Sequence, residues 1–118
     1  MRRSNPTSFR MRIRIYAGDR MLGPGKIELL GHIDATGSLA AAAKQMGMSY
    51  MRAWKLIKTM NVCFKEPLVE AVRGGREHGG TSLTKAGRLA LKLYQQLAKD
   101  CLKATTARWK ELRELLRE

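Results

Sequence analysis

Apolar residues alternate with arginine from Phe9 to Ile15, through Arg10, Met11, Arg12, Ile13 and Arg14, and the run closes on Tyr16. A period of two predicts a half-buried strand over 9–16, with its arginines turned outward. Those arginines serve either a solubilised face or contacts to phosphate. Residues 1–8 are polar, contain Pro6 and read as a loose arm. Gly18-Asp19 and Gly23-Pro24-Gly25 mark turns. Pro24 suits a helix start, where its missing N–H costs nothing. Ile27, Leu29, Leu30 and Ile33 then form a helical stripe that ends at Thr36-Gly37.

Ser38 predicts an N-cap for a short helix from Leu39 to Met46. The run Ala40-Ala41-Ala42-Ala43 favours helix and leaves room for another helix to approach. Gly47 stands where a turn calls for positive φ. Ser49 caps the next helix, Tyr50 to about Asn61. Ala42, Met46, Met48, Ala53 and Leu56 or Ile57 fall where such a pair hides apolar side chains. Ala43, four residues before Gly47, lies at the expected crossing. The spacing is that of a helix-turn-helix, although an αα-hairpin shares part of the pattern.

The second helix carries Arg52, Lys55 and Lys58 and no acidic residue. Cations at three- and four-residue steps share one face. Ser49, Tyr50, Met51 and Arg52 lie in the first turn, which in a recognition helix meets base edges. Arg52 has the fork geometry for guanine O6 and N7. Lys55 and Lys58 are placed as phosphate clamps; the plainer alternative is a solvated helix face. Trp54 is expected to pack inward with its indole N–H outward, or else to touch the sugar-phosphate backbone.

Asn61–Pro67 reads as a connector and Leu68–Arg73 as a strand. Gly74–Gly80 forms a tip and Thr81–Leu83 a short return strand. A glycine-rich hairpin directly after a helix-turn-helix is a wing. Its small residues admit close approach to phosphates, and Arg73, Arg76 and His78 are its candidate DNA contacts. An ordinary hairpin remains the alternative.

From Thr84 the pattern is helical. Ala86, Ala90, Leu93, Leu97, Cys101 and Ala104 make a narrow apolar seam, widened by Leu89 and Tyr94. Thr105-Thr106 weaken the helix before Trp109, Leu112, Leu115 and Leu116 resume in another register. Thirty-five helical residues would run about 50 Å, more than a small domain covers. A second copy of the chain is the expected cover, with Leu89, Leu93, Leu97, Cys101, Trp109 and Leu112 at the dimer contact. The alternative is a helix that folds back at Thr105.

Composition sharpens this picture. The chain has 118 residues and a net charge of +13, which favours polyanionic partners. The excess is spread out. Residues 1–20 hold six basic and one acidic residue, residues 21–60 five and two, residues 61–83 three of each, and residues 84–118 nine and four. Only a minority therefore lies on the proposed reading helix. No apolar run reaches the roughly 18 residues of a membrane span. Arg2-Arg3 lacks the apolar stretch of an export signal, so a cytoplasmic, nucleoid-associated protein is expected. Cys63 and Cys101 are too few for a disulfide framework. His32 and His78 lack metal-ligand spacing with either cysteine. No nucleophile–base pair, carboxylate dyad or metal cluster is visible, so neither an enzyme nor a cofactor is expected.

Three sets of residues carry a family resemblance: Ile33–Asn61 (IDATGSLAAAAKQMGMSYMRAWKLIKTMN), then PLVEAVRGG, and then GGTSLT with Gly87. The chain resembles the N-terminal DNA-binding domain of the ModE-type molybdate-responsive regulators, and more distantly the LysR-type winged helix-turn-helix. The likeness runs from about Arg12 to about Leu102. It implies a dimer held by the first strand region and the last helix, a recognition helix from Ser49, a wing over Gly74–Gly80, and a near-palindromic operator in double-stranded DNA. The wing centre, Arg76-Glu77-His78, departs from the family's Lys and Gly pattern. No counterpart of the family's C-terminal oxyanion-binding module lies in these residues. Molybdate sensing is therefore not carried over, and a separate sensor protein is a possible partner.

The expected fold is mainly α with a small β wing: a winged helix-turn-helix over 1–83 and a long C-terminal dimerisation helix over 84–118. The expected function is sequence-specific DNA binding by a homodimeric transcriptional regulator, with Ser38 and the residues named above as contacts. The alternative is a sequence-indifferent nucleic-acid-binding or architectural protein that uses charge alone.

Overall fold

A computed structural model describes residues 10–72 and 80–117. Helix α1 spans Pro24–Thr36, α2 Leu39–Gln45, α3 Tyr50–Cys63 and α4 Lys85–Arg113. Two antiparallel hairpins complete the fold: β1 (Ile15–Ala17) with β2 (Arg20–Leu22), and β3 (Val69–Val72) with β4 (Gly80–Leu83).

The helix ends follow from local chemistry. Pro24 opens α1, and Gly37 closes it in the left-handed region at φ 68°, its N–H donating to the Ile33 carbonyl at 2.8 Å. The hydroxyls of Ser38, Ser49 and Thr84 accept from the N–H groups of Ala41, Arg52 and Gly87, all at 3.0–3.1 Å. Gly47 adopts φ 67°, as its place in the turn requires. The Met48 N–H then donates to the Ala43 carbonyl at 3.0 Å and ties the turn to the end of α2.

The core sits where α1, α2 and α3 meet the base of the β3–β4 hairpin and the start of α4. Leu29, Leu30 and Ile33 of α1 are fully buried there with Ala42, Ala43, Ala53, Met60, Leu68 and Leu83. Ala43 and Ala53 let the two helices of the motif approach closely. Ile57 is buried, while Leu56, Met46 and Met48 pack at the edge of the core.

Several boundaries differ from the sequence expectation. Among the described residues, the strand expected over 9–16 is confined to Ile15–Ala17, and all three residues are exposed rather than half-buried. Residues 10–14 keep the alternation without a ladder: Met11 and Ile13 are half-buried and the arginines exposed. Their anchor is a side chain, the Tyr94 hydroxyl of α4, which donates to the Ile13 carbonyl. Helix α2 stops one residue early, at Gln45, and α3 runs on to Cys63, two residues past its expected end at about Asn61, so the connector starts at Phe64. Helix α4 is continuous through Thr105-Thr106 and does not fold back. Both hydroxyls bond to carbonyls four residues earlier, Thr105 to Cys101 and Thr106 to Leu102, each at 2.7 Å. The helix ends at Arg113, and its 29 residues make it about 43 Å long. It accounts for the elongated 57 × 36 × 22 Å shape.

Candidate nucleic-acid interface

Helix α3 turns Ala53, Ile57 and Met60 into the core. Its outer side presents Arg52, Lys55 and Lys58, all exposed, and the helix carries no acidic side chain. Among the described residues the one salt bridge joins Arg108 to Glu111, far along α4, so the α3 cations are not neutralised by ion pairs. The positive end of the helix dipole adds to their field at the first turn.

That first turn starts at Ser49, whose hydroxyl caps Arg52. Tyr50 and Met51 follow, both exposed. Trp54 does not pack inward: it is 42% exposed, and the Lys58 ammonium lies over its ring at 5.0 Å from the centroid. The buried position beside it is taken by Ala53. A cation–π contact of this kind also limits the rotamers open to Lys58. Ser38 is half-buried at the start of α2, with its hydroxyl engaged by Ala41.

The hairpin that would carry the wing is fixed at its base. Val69 pairs with Leu83 and Val72 with Gly80. The Thr81 N–H donates to the Gly37 carbonyl at 3.0 Å and joins β4 to the turn before α2. Arg73, Arg76 and His78 lie outside the described residues.

Helix α4 faces the core with Gly87, Leu91 and Tyr94. Leu91 is not part of the expected seam; it lies one residue past Ala90, on the side turned to the core. Leu89, Leu93 and Leu97 are exposed instead and line an open apolar groove of about 530 Å³ with Ile15, Leu22 and Phe64. Cys101 and Trp109 are half-buried, and Leu112 is exposed.

Among the described residues, no group of three or more His, Cys, Asp or Glu side chains is placed to hold a metal ion. No described helix is long and apolar enough to cross a membrane.

Residues 25–88, from the first turn of α1 to the first turn of α4, match the family described as "Bacterial regulatory helix-turn-helix protein, lysR family". The chain belongs to this family. Its members are regulatory proteins rather than enzymes. Within the lysR-family fold, α2 and α3 are the helix-turn-helix pair and β3–β4 the hairpin that follows it. The chain is 46% identical over 76 residues to the molybdenum transport protein ModE of Azotobacter vinelandii, a stretch that is 64% of this chain and 28% of that protein. It is 42% identical over 81 residues to the DNA-binding transcriptional dual regulator ModE of Escherichia coli K12, 69% of this chain and 31% of that one. It is 43% identical over 72 residues to the molybdenum-pterin-binding protein MopA of Rhodobacter capsulatus, 61% and 27%. The match thus spans under a third of the length of these relatives. The crystal structure of the CbnR_DBD-DNA complex shares the fold, with a TM-score of 0.53 at 22% identity over 79% of this chain and 97% of that one.

Proposed function

We propose that the protein is a sequence-specific DNA-binding transcriptional regulator that acts as a homodimer on the chromosome. Helix α3 enters the major groove, Arg52 meets base edges, and Lys55 and Lys58 hold phosphates on either side. The wing lies on the backbone or in the minor groove through Arg73, Arg76 and His78. The observation that carries this reading is the outer side of α3: three exposed cations and no acid, on a helix whose first turn is capped by Ser49 and set by Gly47. The likeness to ModE-type regulators and, in fold, to the DNA-bound CbnR_DBD supports it.

The homodimer rests on α4. Leu89, Leu93 and Leu97 expose apolar surface along one groove, and burying it against a second copy is favourable. Cys101, Trp109 and Leu112 extend that contact. Two copies related by a twofold axis would read a near-palindromic site.

A second reading has its own support. Residues 1–20 and 84–118 hold fifteen of the 23 basic residues, away from α3. Charge alone would then bind any duplex. Competition at physiological salt separates the two. A specific regulator holds its preferred site at least about 10³-fold more tightly than bulk DNA. Equal affinity for every duplex, lost together as salt rises, identifies the charge-only protein.

A further inference from the structure

Tyr50 is 52% exposed, Met51 57% and Trp54 42%, in the same stretch of α3 as the exposed Arg52 and Lys55. At about 100° per residue, Tyr50, Trp54, Lys58 and Met51 fall within an arc of roughly 100°. Arg52 lies about 100° further round, on the far flank of Met51. The core already has its apolar side chains in Ala53, Ile57 and Met60, so these three add nothing to it. The surface is an apolar patch flanked by Arg52 and Lys55 on one side, with Lys58 lying over Trp54 toward its C-terminal end.

The matching ligand has three parts. It is anionic at its rim, apolar in its middle, and offers hydrogen-bond acceptors to Arg52. A DNA major groove that contains thymine has all three: phosphates, the 5-methyl group, and purine O6 and N7. Duplex RNA lacks the methyl and closes the groove to side chains. An acidic protein surface would also meet the cations, and the DNA-binding function argued above favours the duplex.

We propose that the first turn of α3 selects thymine through its 5-methyl group, with Met51 and Tyr50 as the contacting side chains and Trp54, held by Lys58, as the wall behind them. The proposal rests on the DNA-binding function argued above. It adds a base identity on one flank of α3, with Arg52 reading the other.

The test begins with selection of duplexes from a random library by the full chain. The enriched duplex is then synthesised twice, with thymine and with uracil in its place. Uracil substitution should weaken binding about fourfold for each methyl in contact, the value of one buried apolar carbon. In Met51→Ala the thymine-to-uracil ratio should shrink toward one. In Lys55→Ala affinity should fall for both duplexes and the ratio should stay. Because Tyr50 and Met51 are exposed, alanine at either should leave the melting temperature in place. Equal wild-type affinity for both duplexes overturns the proposal, as does a ratio untouched by both Met51→Ala and Tyr50→Ala. A Met51→Ala variant that changes the sedimentation coefficient but not DNA affinity marks the patch as a protein contact and also overturns it. A selection that enriches no sequence removes the sequence-specific function itself, an outcome distinct from the others.

Discussion

The side-chain amide of Asn61 grips the backbone of Val69 from both ends: Nδ2 donates to the Val69 carbonyl at 3.1 Å, and Oδ1 accepts from the Val69 N–H at 3.2 Å. The same oxygen accepts from the Leu68 N–H at 2.8 Å. One residue near the end of α3 thus fixes where the hairpin leaves the helix-turn-helix. Asn61→Ala would strand buried backbone groups of Leu68 and Val69 and should lower stability by about 2–3 kcal/mol in urea unfolding. Hydrogen exchange should accelerate in β3 before it does in α1. Asn61→Asp keeps the acceptor but loses the donor to Val69, so it should fall between wild type and alanine.

Gly87 makes a closer approach to the same segment. A Cβ there would lie 2.0 Å from the Leu68 carbonyl oxygen, which already accepts from the Thr84 N–H at 2.9 Å. Neither partner is a flexible side chain, so the helix and the strand would have to part. Gly87→Ala should cost more than about 2 kcal/mol, as overpacking does. Gly25, in the first turn of α1, has open space around its Cβ position, and Gly25→Ala should be neutral or stabilise by up to about 1 kcal/mol. Parallel thermal melts of the two variants check both signs.

These two residues show where the sequence stops being legible. The caps Ser38, Ser49 and Thr84 and the turns at Gly37 and Gly47 were readable because each needs only its neighbours three to five residues away. Asn61 and Gly87 act on Leu68 and Val69, and nothing near them in the chain says so. The alternation was readable as burial only at Met11 and Ile13 and as a strand only at Ile15–Ala17, because a ladder needs a partner and within residues 10–17 only those three find one. Size and hydrophobicity favour the core for Trp54, whereas Ala53, Ile57 and Met60 take the buried positions of α3 and Trp54 stays 42% exposed. The cations of α3 were plain from spacing alone, since a solvated helix face needs no distant residue to define it.

Lys55 and Lys58 should differ from Arg52 in how their loss is felt. Each phosphate contact removed reduces the steepness of binding against salt by about one counterion. Lys55→Ala and Lys58→Ala should therefore weaken all duplexes together and lower that slope. Arg52→Ala should flatten sequence preference, with loss of about 1–3 kcal/mol of discrimination at one base pair. Trp54→Ala should mimic part of Lys58→Ala, because the ring orients that ammonium. Affinity measured at several salt concentrations on preferred and scrambled duplexes separates these patterns.

Tyr94 links stability to alkaline pH. Burial raises its pKa above the ordinary 10.0; Glu28 pushes the same way, and Arg12 opposes. Below pH 10 the phenol is neutral folded and unfolded, and its hydrogen bond to Ile13 contributes in full. Above pH 10 the unfolded chain ionises first, so stability falls as pH rises through the folded pKa. Tyr94→Phe should lose about 1 kcal/mol at neutral pH and lack this part of the alkaline decline. The difference between the two unfolding profiles isolates the contribution of Tyr94.

Leu89 and Leu93 stand four residues apart on α4, each 54% exposed beside the groove, and neither supports the core. Charge placed there should therefore spare the fold and act only on assembly. Leu93→Glu, or Leu89 and Leu93 both changed to Glu, should keep the stability of the monomer within about 0.5 kcal/mol of wild type, compared at a concentration where neither chain is dimeric. In equilibrium sedimentation at micromolar concentration, wild type should be dimeric and the double variant monomeric. The same variant should bind a single half-site duplex as well as wild type does but lose the advantage of the full site, because two linked reading helices gain from effective concentration and one does not. Wild type that sediments as a monomer would remove α4 from the dimer, and the leucines would then need another partner. A double variant that stays dimeric would move the contact away from this groove, toward Trp109 and Leu112 at the far end of the helix.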